Sequence, residues 1–224
     1  MGFSTLLDII GSTMIGGTIL LILFRMNDSA VENHYLNSGE LIVQTNLISV
    51  VEILEYDLRK IGYCLNWEDA PVPSEALLEA TDTSITFLTD VPTDIKPFGD
   101  GNIDTLKYWI GSPEEVDVAK TPNPKDRMLY RQVNGEPPLY SNMGVTQLKI
   151  VYFDALGNII PISTLIASST AKQPLGVITM QIDITVENTA AYGDMEDNDN
   201  EVYSKDKSAF WRQIRLAAPS LNNR

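Results

Sequence analysis

The sequence predicts an α+β protein. A long N-terminal helix, apolar in its first half and amphipathic in its second, packs against a mainly antiparallel β-sheet head. Three observations carry this reading. Between Phe3 and Phe24 the only charged residue is Asp8. No proline precedes Pro71, whereas all twelve occur from there onward. Beyond Pro71, short stretches alternate apolar and polar residues with a period of two, as strands with one buried and one wet face do.

The first element is the apolar stretch, assigned to residues 1–27. It exceeds the roughly 20 residues an α-helix needs to cross a bilayer. It lacks the basic start, shorter apolar core and small-residue cleavage site of a secretory signal, so it is read as a retained anchor. Arg25 is the nearest flanking cation and lies on the far side, so orientation is weakly specified.

Residues 28–62 continue the helix. Val43, Leu47, Val50, Leu54, Leu58 and Ile61 recur at steps of three or four, and Val51 widens the stripe. Arg59 and Lys60 suit the negative end of the helix dipole, and Gly62 suits the left-handed residue after it. Asn37-Ser38-Gly39 is the expected weak point.

Residues 63–224 form the head. Candidate strands are 84–88, 105–110, 128–133, 147–152 with the short partner 159–160, 178–186 and 209–216. Asn134-Gly135 signals a turn. The stripe of the second helix half is the natural cover for a single sheet's buried face. Trp67, Tyr108, Trp109, Tyr152, Phe153, Phe210 and Trp211 are read as core aromatics, and Cys64 as a small buried apolar residue.

Composition narrows the function. A net charge of -14 over 224 residues repels phosphate and excludes nucleic acid as a partner. Cys64 is the only cysteine, so no intrachain disulfide or multi-thiolate metal site can form. His34 is the only histidine and lies on the predicted helix. The chain is therefore read as no enzyme.

Asp8 is the residue that asks for a function, because a carboxylate within an apolar span costs a few kcal/mol near mid-bilayer. One reading leaves it at headgroup level. The other gives it a charge-assisted contact with the α-amino group of a neighbouring subunit, setting the register of packed helices. Ser12 and Gly16, and likewise Thr13 and Gly17, form small-xxx-small pairs that let helices approach closely. The segment 193–201 supplies hard oxygen donors but lacks the EF-hand pattern, and reads first as a solvated acidic loop. If calcium binds, Asp194, Asp197, Asp199 and Glu201 are its ligands. No other cofactor is implied.

Four segments together resemble the type IV pilin superfamily, within it the minor pilins and pseudopilins of the PilW type. Gly2-Phe3 resembles the end of a prepilin leader and the first mature residue, and the apolar stretch resembles the family's assembly helix. Leu54-Glu55-Tyr56-Asp57-Leu58-Arg59-Lys60-Ile61-Gly62-Tyr63 is similar to the D-L-R-x-x-G-Y closure of the long helix in PilW-like proteins. Gly144 to Asp154 is similar to their G-V-x-x-L-x-V-x-Y strand. The family's acid stands at the fifth mature position; counted from Phe3 that is Leu7, and the acid here is Asp8, one residue on. The resemblance implies processing at Gly2-Phe3 and assembly through Phe3, Asp8, Ser12, Gly16 and Gly17. It implies homo- or hetero-oligomers with other pilin-like subunits, an inner-membrane pool, and an extracellular or periplasmic filament. The rival reading is a single-pass, membrane-anchored binding or adhesion module that does not polymerise.

Overall fold

The computed structural model describes residues 2–73, 75–116, 123–167, 176–188 and 209–222. One helix, α1 (Gly2–Leu58), runs without interruption through Asn37-Ser38-Gly39. By compactness the chain divides into Met1–Leu41 and Ile42–Arg224. The first unit is helix alone, its large apolar side chains from Phe3 to Met26 exposed. The second contains the last turns of α1 and the head.

Among the described residues nine strands build the head: β1 (Leu77–Ala80), β2 (Ser84–Thr89), β3 (Asp104–Ile110), β4 (Leu129–Val133), β5 (Leu139–Ser141), β6 (Val145–Phe153), β7 (Ile159–Ile160), β8 (Thr179–Glu187) and β9 (Ala209–Ala217). The described residues also include two short helices, α2 (Ile162–Ala167) and α3 (Pro219–Asn222), and a 3-10 turn at Pro113–Glu115. All pairings are antiparallel. The α+β reading of a long helix against antiparallel strands therefore holds.

The expected single sheet is two. Strands β1 to β5 form a five-stranded meander, and a second sheet has the order β7-β6-β8-β9. Two strands, β1 and β5, lie outside the candidate strands because they carry too few residues to show a period; they complete the first sheet. The two sheets meet through backbone: Ile150 N donates to Asp82 O at 2.8 Å, and Arg127 N to Val145 O at 2.8 Å. The Tyr152 hydroxyl adds a bond to Thr81 O at 2.9 Å.

One core joins all layers. Val43, Leu47, Val50, Val51, Leu54 and Leu58 of α1 share a buried cluster with both sheets. The meander contributes Ile85, Phe87, Leu106 and Tyr108. The second sheet contributes the alternating sets Leu148, Ile150, Tyr152 and Met180, Ile182, Ile184, Val186. Burying each such side chain contributes about 1.5–3 kcal/mol.

The helix ends at Leu58, before Arg59 and Lys60 rather than after them. Lys60 N bonds to Asp57 O and Ile61 N to Leu58 O, so the last turn tightens. Gly62 is left-handed (φ 77) and its N–H donates to Leu88 O on β2. A Cβ there would lie 3.0 Å from Ser220 Cβ and 3.1 Å from Ala76 Cβ, so close approach also demands glycine.

Three aromatics expected in the core are outside it. Trp67 stands exposed on the loop after α1, and Trp211 is exposed on the outer face of β9, opposite Thr185. Trp109 is half-buried on the outer face of β3, stacked on Tyr130 with ring centroids 4.9 Å apart. In each strand the inner face is already occupied by the alternate residue, Tyr108 in β3 and Phe210 in β9.

Candidate functional site

The candidate site begins with the apolar half of α1, which is long and apolar enough to cross a membrane. Asp8, Ser12 and Gly16 follow at steps of four and share one helix face. The hydroxyls on this helix bond to carbonyls of the preceding turn. Ser12 Oγ donates to Ile9 O at 2.9 Å, Thr13 Oγ1 to Ile10 O at 2.9 Å and Thr18 Oγ1 to Met14 O at 2.8 Å. They therefore need no water and suit an apolar setting. A Cβ at Gly16 or Gly17 would meet no atom within 4 Å, so packing within this chain does not require glycine at either position. Phe3, Asp8, Ser12, Gly16 and Gly17 all lie on this helix, and each except glycine presents a side chain.

The last turns of α1 are held in the head by an ion pair whose acid is buried and whose cation is half-buried. Asp57 sits in the apolar stripe, between Leu54 and Leu58. Tyr108 on β3 and Arg131 on β4 are direct cross-strand neighbours. They present a phenol and a guanidinium to the same carboxylate oxygen, with Tyr108 Oη donating to Asp57 Oδ2 at 2.5 Å and Arg131 Nε at 2.9 Å. Arg131 Nε also reaches Tyr108 Oη at 2.9 Å. Burial, and then the charge of Asp57, push the Tyr108 phenol far above its ordinary value, so it remains a neutral donor. Burial works against the Arg131 guanidinium, but Tyr108 and Asp57 outweigh it and raise its pKa.

Asp57 appeared in the sequence only as the first letter of the helix-closing motif. The available signal was an acid at a core position of the stripe. A buried carboxylate calls for a charged or hydrogen-bonding partner, but the identity of the cation lay 74 residues away.

The remaining candidates separate. Cys64 is buried, and its thiol donates to Gly101 O at 3.3 Å. Burial raises its pKa, so the thiol stays protonated. Arg59 pairs along the helix with Glu55 rather than with a carbonyl of the last turn. Asp194, Asp197, Asp199 and Glu201 lie outside the described residues. Among the described residues no group of three or more His, Cys, Asp or Glu side chains is placed to hold a metal ion.

The chain thus combines a membrane-length helix with an antiparallel head whose core includes that helix's last turns. No family model matches the chain, and no curated protein matches it. Among solved structures it is similar to a type IV-like pilin from Thermus thermophilus, at 9% identity and a TM-score of 0.44. The match covers 80% of this chain and 96% of that one.

Proposed function

We propose that the protein is a structural, non-enzymatic subunit of a type IV pilus-like or type II secretion pseudopilus filament, of the minor, PilW-like kind. The observation that carries this reading is α1 itself. It is one helix from Gly2 to Leu58, its apolar half exposed and its amphipathic half part of the head's core. So much exposed apolar surface calls for lipid or for other helices. The reading assigns both, in sequence: an inner-membrane pool first, then a bundle of like helices in the fibre, with heads facing outward.

In such a bundle Asp8 forms a charge-assisted pair with the N-terminal ammonium of a neighbouring subunit and sets the axial register. The open surface at Gly16 and Gly17 admits the neighbouring backbone. The minor, PilW-like assignment rests on Asp57-Leu58-Arg59 at the end of the helix and on the strand that begins at Val145.

The test is electron microscopy of the sheared cell-surface fraction, with mass spectrometry of the N-terminus. Asp8→Ala should abolish filaments while leaving the head folded, read as an unchanged near-ultraviolet circular dichroism spectrum. Filament yield equal to wild type would remove the register role. Cells that make the protein yet display no fibre containing it would favour the anchored binding module instead.

A further inference from the structure

We propose that the outer face of the five-stranded sheet holds a binding site for a neutral hexopyranose, either free or as one residue of a glycan. Two adjacent rows of side chains cross that face. Glu79, Thr86, Lys107 and Gln132 pair along one row, and Ser84, Trp109, Tyr130 and Tyr140 along the next. An open groove of about 350 Å³ lies there, lined by Thr83, Ser84, Lys107, Trp109, Ile110 and Gln132. Small-ligand sites begin at about 300 Å³.

One wall of the groove is aromatic and braced. Trp109 stands between Ser84 and Tyr130 in its row. One indole face is stacked on Tyr130, with ring centroids 4.9 Å apart and planes within 7°. The opposite face turns toward Ser84, whose side chain is too small to cover it. Tyr130 is fixed in turn, its Oη donating to Glu115 Oε2 at 2.9 Å. A Cβ at Gly111 would lie 2.9 Å from Tyr130 Cε2 and closer still to Glu115 Oε2, so glycine makes room for this brace. The platform is formed before a ligand arrives, which lowers the cost of binding.

The rest of the groove is polar. Lys107 Nζ donates to Glu79 Oε2 at 3.2 Å and lies 5.7 Å from the Trp109 ring centroid. Its ammonium has three hydrogens, so it can donate to a ligand as well. Gln132 Nε2 donates to Glu136 O at 2.8 Å, which holds the amide and leaves Oε1 to accept. Ser84 and Thr83 add hydroxyls. An aliphatic ligand would find one aliphatic side chain here, Ile110. An anionic ligand would meet a chain of net charge -14 and a lysine already paired with Glu79. A neutral hexopyranose matches both halves of the site. It offers a flat face of C–H bonds to the indole and a rim of hydroxyls that donate and accept. The site lies on the head and does not depend on entry into a filament.

The test is saturation-transfer NMR on the full chain, in a detergent without a sugar headgroup. The probes are methyl α- and β-glycosides of glucose, galactose, mannose, N-acetylglucosamine and N-acetylgalactosamine. At least one should bind with a Kd of about 1 mM, as expected for a ligand of this size. Trp109→Ala and Ser84→Ile should each weaken it at least about tenfold, whereas Trp211→Ala should not. Ser84→Ile fills the groove without touching the aromatic stack, so a melting temperature equal to wild type separates lost binding from lost fold. An array of neutral glycans, read with the same variants, distinguishes a glycan residue from a free sugar. A response on either arm that both groove variants lose supports the proposal. No response from any glycoside or glycan would overturn it, as would a response that survives both groove variants. A response to peptides of a tryptic digest alone would assign the groove to peptide and overturn it too.

Discussion

Replacing Arg131 by Ala removes the cation from Asp57 and leaves the carboxylate inside the core with the Tyr108 hydroxyl. The Asp57 side chain is only 7% exposed and that of Arg131 26%, with N···O at 2.9 Å. At an effective dielectric of about 20, charges about 4 Å apart attract by roughly 4 kcal/mol. The native state has already borne the desolvation of both groups, so removing one partner costs about 3–5 kcal/mol. For a head of this size that is a fall in melting temperature of roughly 6–20 °C. The assay is thermal and urea unfolding of the full chain in detergent, followed by near-ultraviolet circular dichroism of the head aromatics.

Two further variants make the reasoning exposed to failure. Arg59→Ala breaks the solvent-side pair with Glu55, and should cost no more than about 0.5 kcal/mol. The double variant Asp57→Asn with Arg131→Met removes both charges but keeps an acceptor for Tyr108. It should recover at least about 2 kcal/mol of the single-variant loss, because a buried pair is worth little more than a well-packed neutral one. If Arg131→Ala costs no more than Arg59→Ala, water reaches Asp57 and the buried-pair account of the junction is wrong.

Other outcomes follow from the same geometry. Burial first, with nearby acids second, raises the phenols of Tyr108 and Tyr152 far above their ordinary value. Their neutral state therefore favours the fold fully below about pH 10, and stability falls as pH rises beyond it, by about 2.7 kcal/mol per pH unit while both stay neutral. In an ultraviolet titration two of the nine tyrosines should ionise only as the head unfolds; nine ionising together in the folded protein would refute this. Gly99→Ala should cost more than about 2 kcal/mol, from a φ of 106° unsuited to an L residue and a Cβ set 2.2 Å from Asp90 Cγ. The Asp90 carboxylate accepts from the amides of Leu65, Asp100 and Gly101 and cannot step aside cheaply, so a loss below about 1 kcal/mol in urea unfolding would show that this tie is loose.

How much of this was legible depends on the range of each interaction. The stripe Val43, Leu47, Val50, Leu54, Leu58 was readable because helical periodicity is local, and each residue declares its face by its spacing alone. The alternating strands β6 and β8 were readable for the same reason. Their division between two sheets was not, because strand pairing is set by partners distant in sequence, and the four-residue β1 and three-residue β5 are too short to display a period. Trp67 and Trp211 are exposed although large and apolar, because hydrophobicity argues for burial only on average; which face of a strand or loop meets the core is decided by what already fills it.

The amino-acid order by itself therefore determined a long helix, the face that helix buries, an antiparallel head, and an apolar half with one acid near its start. Each of these rests on composition and on spacing within a few residues. The tertiary structure alone decided that Asp57 is a core residue matched by Tyr108 and Arg131, that Asp90 ties the loop after α1 to the β2–β3 connection, and that the strands form two sheets. Those outcomes depend on charges and hydrogen-bonding groups that meet only when segments 25 to 74 residues apart close on each other. Burial then makes each such group require its partner.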